Sequence, residues 1–171
     1  MRLFIFGFLS AFVVILAAGY GYISMGMAPV ATSSAPLPFE KLVTGIALDA
    51  RVSREAPTFS PIQASTDVFV AGAKVYQSNC AVCHGLPGEA QSPIALGEFP
   101  KPPALFKGKG VTDDPPGETY WKVSNGIRLT GMPGFNKSLT PEQMWQVSLL
   151  LANADKLPPE AQVALKGYST H

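Results

Sequence analysis

Hydrophobic and polar positions divide the chain into stretches of different character. Leu3 to Ile23 is an apolar run of 21 residues without a charge, long enough to cross the roughly 30 Å hydrocarbon layer of a bilayer as one helix. Tyr20 and Tyr22 fall at its far end, where aromatic rings suit a membrane interface. No period persists from Pro29 to Ala64. Pro29, Pro36, Pro38, Pro57 and Pro61 interrupt small and polar residues there, which predicts an extended, semi-rigid linker. Its middle, Leu42 to Arg54, carries enough apolar residues for a short helix. Ser65 or Thr66 with Asp67 supplies a helix start, and Val68, Val75 and Tyr76 share one helical stripe. Gly85 to Gly117 is dense in Gly and Pro and reads as loops. Thr140, Pro141 and Glu142 open another helix, with Met144, Val147, Leu150 and Leu151 at core spacing to about Ala154. Pro158 and Pro159 end that domain, and Glu160 to Lys166 predicts a last helix. Alternating strand patterns, internal repeats and phosphate-binding glycine loops are absent from the sequence. The expected organisation is therefore all-α: an anchor over residues 1–28, a linker over 29–64, a small helical domain over 65–157 and a tail over 158–171.

Candidate chemistry is concentrated at one point. The chain has two cysteines and two histidines, and Cys80-Ala81-Val82-Cys83-His84 holds both cysteines and one histidine. Cys-x-x-Cys-His reads as a covalent haem attachment site. Two thiols add across haem vinyl groups, and the adjacent imidazole is held where it can ligate iron. Three other readings compete. A structural zinc site needs four ligands, and only the terminal His171 remains to supplement these three. A thioredoxin-like dithiol should follow a strand in a βαβ pattern, whereas this motif follows a helical one. A lone disulfide or a chance Cys-x-x-Cys-His is the remaining reading.

A haem iron used for electron transfer commonly takes a second protein ligand. Met1, Met25 and Met27 lie in or beside the apolar N-terminal run, and Met144 falls inside a core helix. Met132 remains, in the turn-rich loop Thr130-Gly131-Met132-Pro133-Gly134-Phe135. Glycines permit close backbone approach to a flat ligand, and Pro133 stiffens the segment. The plainer reading of Met132 is a gap-filling loop methionine. Two strong axial ligands would close the iron to substrates, so the expected role is electron transfer rather than catalysis.

With these residues in view, the chain resembles class I c-type cytochromes. Val68 to Asn79, with Gly72 and then Tyr76, is similar to the family's N-terminal helix, and Leu139 to Leu150 is similar to its C-terminal helix. The resemblance implies that the two helices cross at the glycine. Leu149 departs from the pattern, standing where many members carry an aromatic. Lys101-Pro102-Pro103-Ala104-Leu105 resembles the loop whose proline carbonyl accepts the Nδ1 hydrogen of the ligating histidine; Pro103 is the preferred donor of that carbonyl, with Pro102 the alternative. Glu118 to Arg128 is similar to the helix and Asn-Gly turn that lead to the methionine loop, which implies that Trp121 and Arg128 lie near the haem propionates. An ordinary core aromatic is the competing reading of Trp121. The cofactor implied is one covalent haem c, held by Cys80 and Cys83 and ligated by His84 and Met132.

Arg2 and the amino terminus are the only positive charges beside the apolar run, so the positive-inside tendency puts the N-terminus in the cytoplasm and the haem on the outer face of a bacterial membrane, in the periplasm. A cleaved signal peptide is the alternative, with Ala31 the better cleavage point; the length of the run favours a retained anchor. Full extension of the linker at about 3.1 Å per residue would reach on the order of 100 Å. Expected partners are membrane lipid and redox proteins: a quinol-oxidising complex or dehydrogenase as donor and a terminal oxidase as acceptor. A permanent haem subunit of a larger oxidoreductase, or a sensor or peroxidase, are the alternatives. The formal charge of +1 becomes about −1 with two propionates, and nucleic-acid binding has no support. Lys101, Lys107 and Lys109 cluster near the implied haem loop, where basic residues can steer an acidic partner, although plain surface solvation is the commoner explanation. A domain this small has little core of its own, so a covalent haem would supply much of its apolar contact. A Cys80→Ala, Cys83→Ala variant should accordingly show weak helicity and a broad melt by circular dichroism; a sharp, native-like melt would refute that dependence.

Overall fold

The structure, a computed structural model, describes residues 1–107 and 112–166. Lys109 of the lysine cluster and the terminal His171 lie outside the described residues. Among the described residues there are eight helices and no strand. The chain divides into two compact units, the first comprising Met1–Glu40 and the second beginning at Lys41.

In the first unit, α1 runs over Arg2–Ser24. Within it Leu3–Ser24 is long and apolar enough to cross a membrane, and Phe4, Phe8, Leu16 and Ile23 are exposed. A 23-residue helix whose apolar side chains all face outward has no protein core to fill.

The second unit opens with α2 (Glu40–Glu55), inside the stretch whose prolines predict a linker. Three prolines precede α2 and two follow it, so they bound the helix without entering it. α3 (Thr66–Asn79) starts at Ser65, whose hydroxyl accepts a hydrogen bond from the Val68 amide at 3.3 Å. It runs directly into the single turn α4 (Ala81–His84). The Gly/Pro-rich stretch that follows, expected to be loop alone, contains α5 (Pro93–Gly97). Ser92 caps α5 by accepting from the Ala95 amide, and Pro93 pre-sets its first residue, so two local signals suffice for a turn of helix without any sustained period. α6 (Pro116–Asn125) precedes the methionine loop. α7 (Pro141–Ala152) begins with a reciprocal Thr140–Gln143 capping box and stops two residues before the expected Ala154. α8 (Pro159–Lys166) closes the described chain.

Packing centres on α3 and α7. A Cβ at Gly72 would overlap the Gln146 carbonyl and approach Leu150 Cβ to 3.1 Å; the missing side chain is what lets the two backbones cross. Around the crossing, Ala73, Tyr76, Val147 and Leu150 are fully buried, with Met144 and Leu151 beside them. Each large apolar side chain buried this way contributes about 1.5–3 kcal/mol. α8 packs on α3, with Ala161 and Leu165 in the same core and Gln77 Nε2 donating to the Leu165 carbonyl at 3.0 Å. α6 meets α7 through stacked rings of Tyr120 and Trp145, 4.3 Å between centroids. Leu149, at the position where the resemblance expected an aromatic, is 7% exposed, so an aliphatic side chain fills that part of the core.

Gly72→Val should lower stability by about 1–3 kcal/mol, because the extra methyls cannot enter the crossing without parting the helices. At about 4–8 °C per kcal/mol for a domain of this size, a thermal melt resolves the loss; an unchanged midpoint would show that the crossing is not tight.

Candidate functional site

α3 and α4 place the attachment motif by ordinary helical hydrogen bonding. The Cys80 amide donates to the Tyr76 carbonyl at 2.8 Å, and the Cys83 and His84 amides donate to the Cys80 carbonyl at 3.1 and 2.9 Å. Cys80, Cys83 and His84 are thereby one, three and four steps apart on a single turn, so the three side chains emerge on one face. Gly85 at φ 75° ends the turn, and the buried Tyr76 hydroxyl donates to its carbonyl at 2.7 Å. Both thiols are free. Among the described residues there is no cluster of three or more His, Cys, Asp and Glu that could hold a metal ion.

His84 is oriented from behind. Its Nδ1 lies 2.8 Å from the Pro103 carbonyl. A carbonyl only accepts, so Nδ1 carries the proton, and in the neutral ring Nε2 keeps its lone pair for a ligand on the other side. The neighbouring Pro102 carbonyl is used differently, accepting from Gln91 Nε2 at 2.7 Å. Two successive proline carbonyls thus fix the loop to the motif and to the segment before α5. Ser92 adds a further tie by donating to the Val82 carbonyl.

The methionine loop is folded back on the end of α6. Gly126 sits at φ 69°, and a Cβ there would stand 2.5 Å from the Gly134 amide nitrogen, so this turn needs glycine both for its backbone angle and for space. The Ile127 amide donates to the Met132 carbonyl at 3.1 Å and the Phe135 amide to the Val123 carbonyl at 2.9 Å. Thr130 Oγ1 accepts from the Met132 amide at 3.1 Å. Met132 is half-buried and packs against the same core as Cys80, Leu105, Phe106 and Phe135. Tyr76 and Phe106 meet edge to face at 5.0 Å.

Glu98 joins the two halves of the site and was not singled out by the sequence. Its Oε1 accepts from Cys83 Sγ at 3.1 Å, while its carboxylate lies against Gly131, next to Met132. Burial, followed by this Glu98 hydrogen bond, pushes the Cys83 thiol up to about 11; burial, followed by the nearby Cys83, pushes Cys80 up to about 12. Both are therefore thiols rather than thiolates at neutral pH. A single Glu in a Gly/Pro-rich loop carries no spacing signal, because its partners lie 15 and 33 residues away along the chain.

Trp121 and Arg128 make no side-chain hydrogen bond to this cluster. The Trp121 indole N–H donates to Glu55 Oε2 of α2 at 3.2 Å, and Arg128 is exposed in the loop after Gly126. Neither is joined to the Cys80, Cys83, His84 and Met132 neighbourhood by a hydrogen bond that fixes a role there. Two neutral thiols on one helical face, an imidazole with a free Nε2, a thioether in an anchored loop and half-buried Leu86, Leu105, Phe106 and Phe135 form a donor set and an apolar lining that fit a covalently held haem.

Similarity to known proteins identifies the family. Residues 68–149 match the family described as cytochrome C oxidase, cbb3-type, subunit III. The cytochrome c6 of Limnospira maxima is 36% identical over 78 residues, which cover 46% of this chain and 83% of that protein. The cbb3-type cytochrome c oxidase subunit FixP of Sinorhizobium medicae is 31% identical over 106 residues, 57% of this chain and 34% of that protein, so this chain spans about a third of the subunit's length. Among solved structures, a chain of the Kuenenia stuttgartiensis reducing HAO-like protein complex aligns with a TM-score of 0.49 at 24% identity, over 57% of this chain and 48% of that one. The family match takes in both cysteines, His84, the Pro103 loop and Met132. The chain belongs to the class I c-type cytochromes, a family whose members bind haem c covalently.

Proposed function

We propose that this chain is a membrane-anchored monohaem cytochrome that carries single electrons on the outer face of a bacterial membrane, from a quinol-oxidising complex or dehydrogenase towards a terminal oxidase. Cys80 and Cys83 are the covalent anchors, His84 the proximal ligand and Met132 the distal one. Pro103 orients His84, and Trp121 and Arg128 border the propionate side. Residues 1–28 form the anchor, 29–64 the connecting segment, 65–157 the haem domain and 158–171 the tail. The observation that carries the reading is the 2.8 Å contact between His84 Nδ1 and the Pro103 carbonyl. It leaves Nε2 as the ring's only donor to a metal and locks the ring against rotation, as a permanent ligand requires.

Haem held between His and Met supplies a one-electron couple of raised potential. The chain's own residues keep that couple reversible by moving little. Pro102 and Pro103 hold the histidine side, while Gly126, Thr130 and the return of Phe135 to Val123 hold the methionine side. Rigid ligand loops limit the rearrangement that accompanies a change of iron charge. A second reading has specific support: the similarity to the FixP subunit of a cbb3-type oxidase favours a permanent subunit of an oxidase over a free carrier. Stoichiometric co-purification with other subunits in mild detergent would select that arrangement.

The purified holoprotein should give a low-spin absorption spectrum with a methionine-to-ferric charge-transfer band, and its reduced form should not bind CO. Met132→Ala should abolish the band and admit CO. A CO-binding parent would move the assignment to a sensor or enzyme, and a protein without haem would overturn it entirely.

A further inference from the structure

Helix α2 is apolar on two opposite sides, and the protein uses only one. Leu48 and Val52, one turn apart, form the inner stripe, with Val52 2% exposed. Two ties fix the end of the helix to α6: Glu55 Oε2 accepts from Trp121 Nε1 at 3.2 Å, and the Pro57 carbonyl lies against Gly117. Glu55 is itself held by Arg51 at 2.7 Å, one turn back. The other stripe consists of Leu42, Val43, Ile46, Ala47 and Ala50, all exposed, with Leu42, Val43 and Ile46 at 58%, 63% and 61%. A helix lying on a domain surface in water is normally polar on that side. Here the charges, Lys41, Asp49, Arg51 and Arg54, lie off the apolar stripe or at its margin.

We propose that the outer stripe of α2 lies in the lipid interface of the membrane that α1 spans. The inference rests on the reading of α1 as a retained anchor. Lipid is the occupant because of chain continuity. α1 ends at Ser24 and α2 begins at Glu40, so only the fifteen residues Met25–Phe39 separate them. Fully extended, that connector spans at most about 50 Å, and hydrogen-bonded turns at Ala31–Ser34 and Leu37–Glu40 shorten it. The bilayer surface is therefore always within reach of α2, whereas a protein partner would have to be recruited. An interfacial helix needs an apolar face to enter the acyl boundary and basic residues to reach headgroups, and the exposed Arg54, at the margin of the outer stripe, can extend its charge to them. Because the C-terminal end of α2 is tied to α6 through Glu55 and Pro57, an α2 seated in lipid holds the haem domain close to the surface. The reach of the tether is then set by Met25–Phe39 rather than by the whole of residues 29–64, and electron exchange is confined to partners in the same membrane.

The test uses the full-length holoprotein in vesicles of phosphatidylcholine and phosphatidylglycerol. The photoreactive residue benzoylphenylalanine replaces Val43 or Ile46 and, as a control, the exposed Val163 of α8. Illumination should give lipid adducts at Val43 and Ile46, detected by mass, and none at Val163. Adducts from Val43 or Ile46 to a second copy or to another protein, or no lipid adduct in a chain that resists carbonate extraction, would overturn this inference while leaving the anchor intact. Release of the chain by carbonate would overturn the anchor reading and this inference together.

Discussion

Where Gly72 lacks a side chain, the Gln146 carbonyl comes against the backbone of α3, and the second unit is organised outward from that contact. The crossing fixes the direction in which α3 ends, and α3 ends in Cys80. The motif therefore emerges from the most tightly packed part of the molecule. The same crossing buries Tyr76, whose hydroxyl reaches the carbonyl of Gly85 and so ties the far end of the attachment turn to the core. α8 reinforces the arrangement by packing on α3 in the same core, through Leu165 and Gln77. What looks from the chain order like a tail is part of the packing that holds the site.

The site itself is assembled by backbone carbonyls and turns more than by side-chain chemistry. The Pro103 carbonyl sets the His84 tautomer, the Pro102 carbonyl anchors its own loop, and the Met132 loop is closed by amides returning to α6. Proline suits the first task because it removes a competing donor and stiffens the carbonyl's direction. Glycine suits the last, because Gly126 takes a backbone angle that a side chain would resist and leaves space for Gly134. Glu98 stands between these two halves, bridging from Cys83 to the edge of the methionine loop.

α2 stands between the long apolar helix α1 and the rest of the second unit along the chain. The Glu55–Trp121 hydrogen bond and the close approach of the Pro57 carbonyl to Gly117 tie its C-terminal end to α6. Its outer stripe leaves apolar surface that water does not favour. The indole N–H of Trp121 donates to a carboxylate from a helix outside the segment that matches the family.

Local order was legible in the sequence. The apolar run of α1, the Ser65 cap, the Thr140–Pro141 start and the Cys-x-x-Cys-His spacing are all signals between residues a few steps apart, and each is written directly in the chain. The core stripe of α7 was legible for the same reason, since helical period alone selects Met144, Val147, Leu150 and Leu151. Resemblance added the Pro103 carbonyl, which no period or spacing could indicate. What only the tertiary structure decided are the long-range pairings: Glu98 with Cys83 and Gly131, Glu55 with Trp121, α8 against α3, and the two-sidedness of α2. These depend on which surfaces meet once α3 and α7 have crossed. A sequence records the character of each surface, but the partner of a lone carboxylate or of an apolar stripe is set by three-dimensional proximity between residues that share no local pattern.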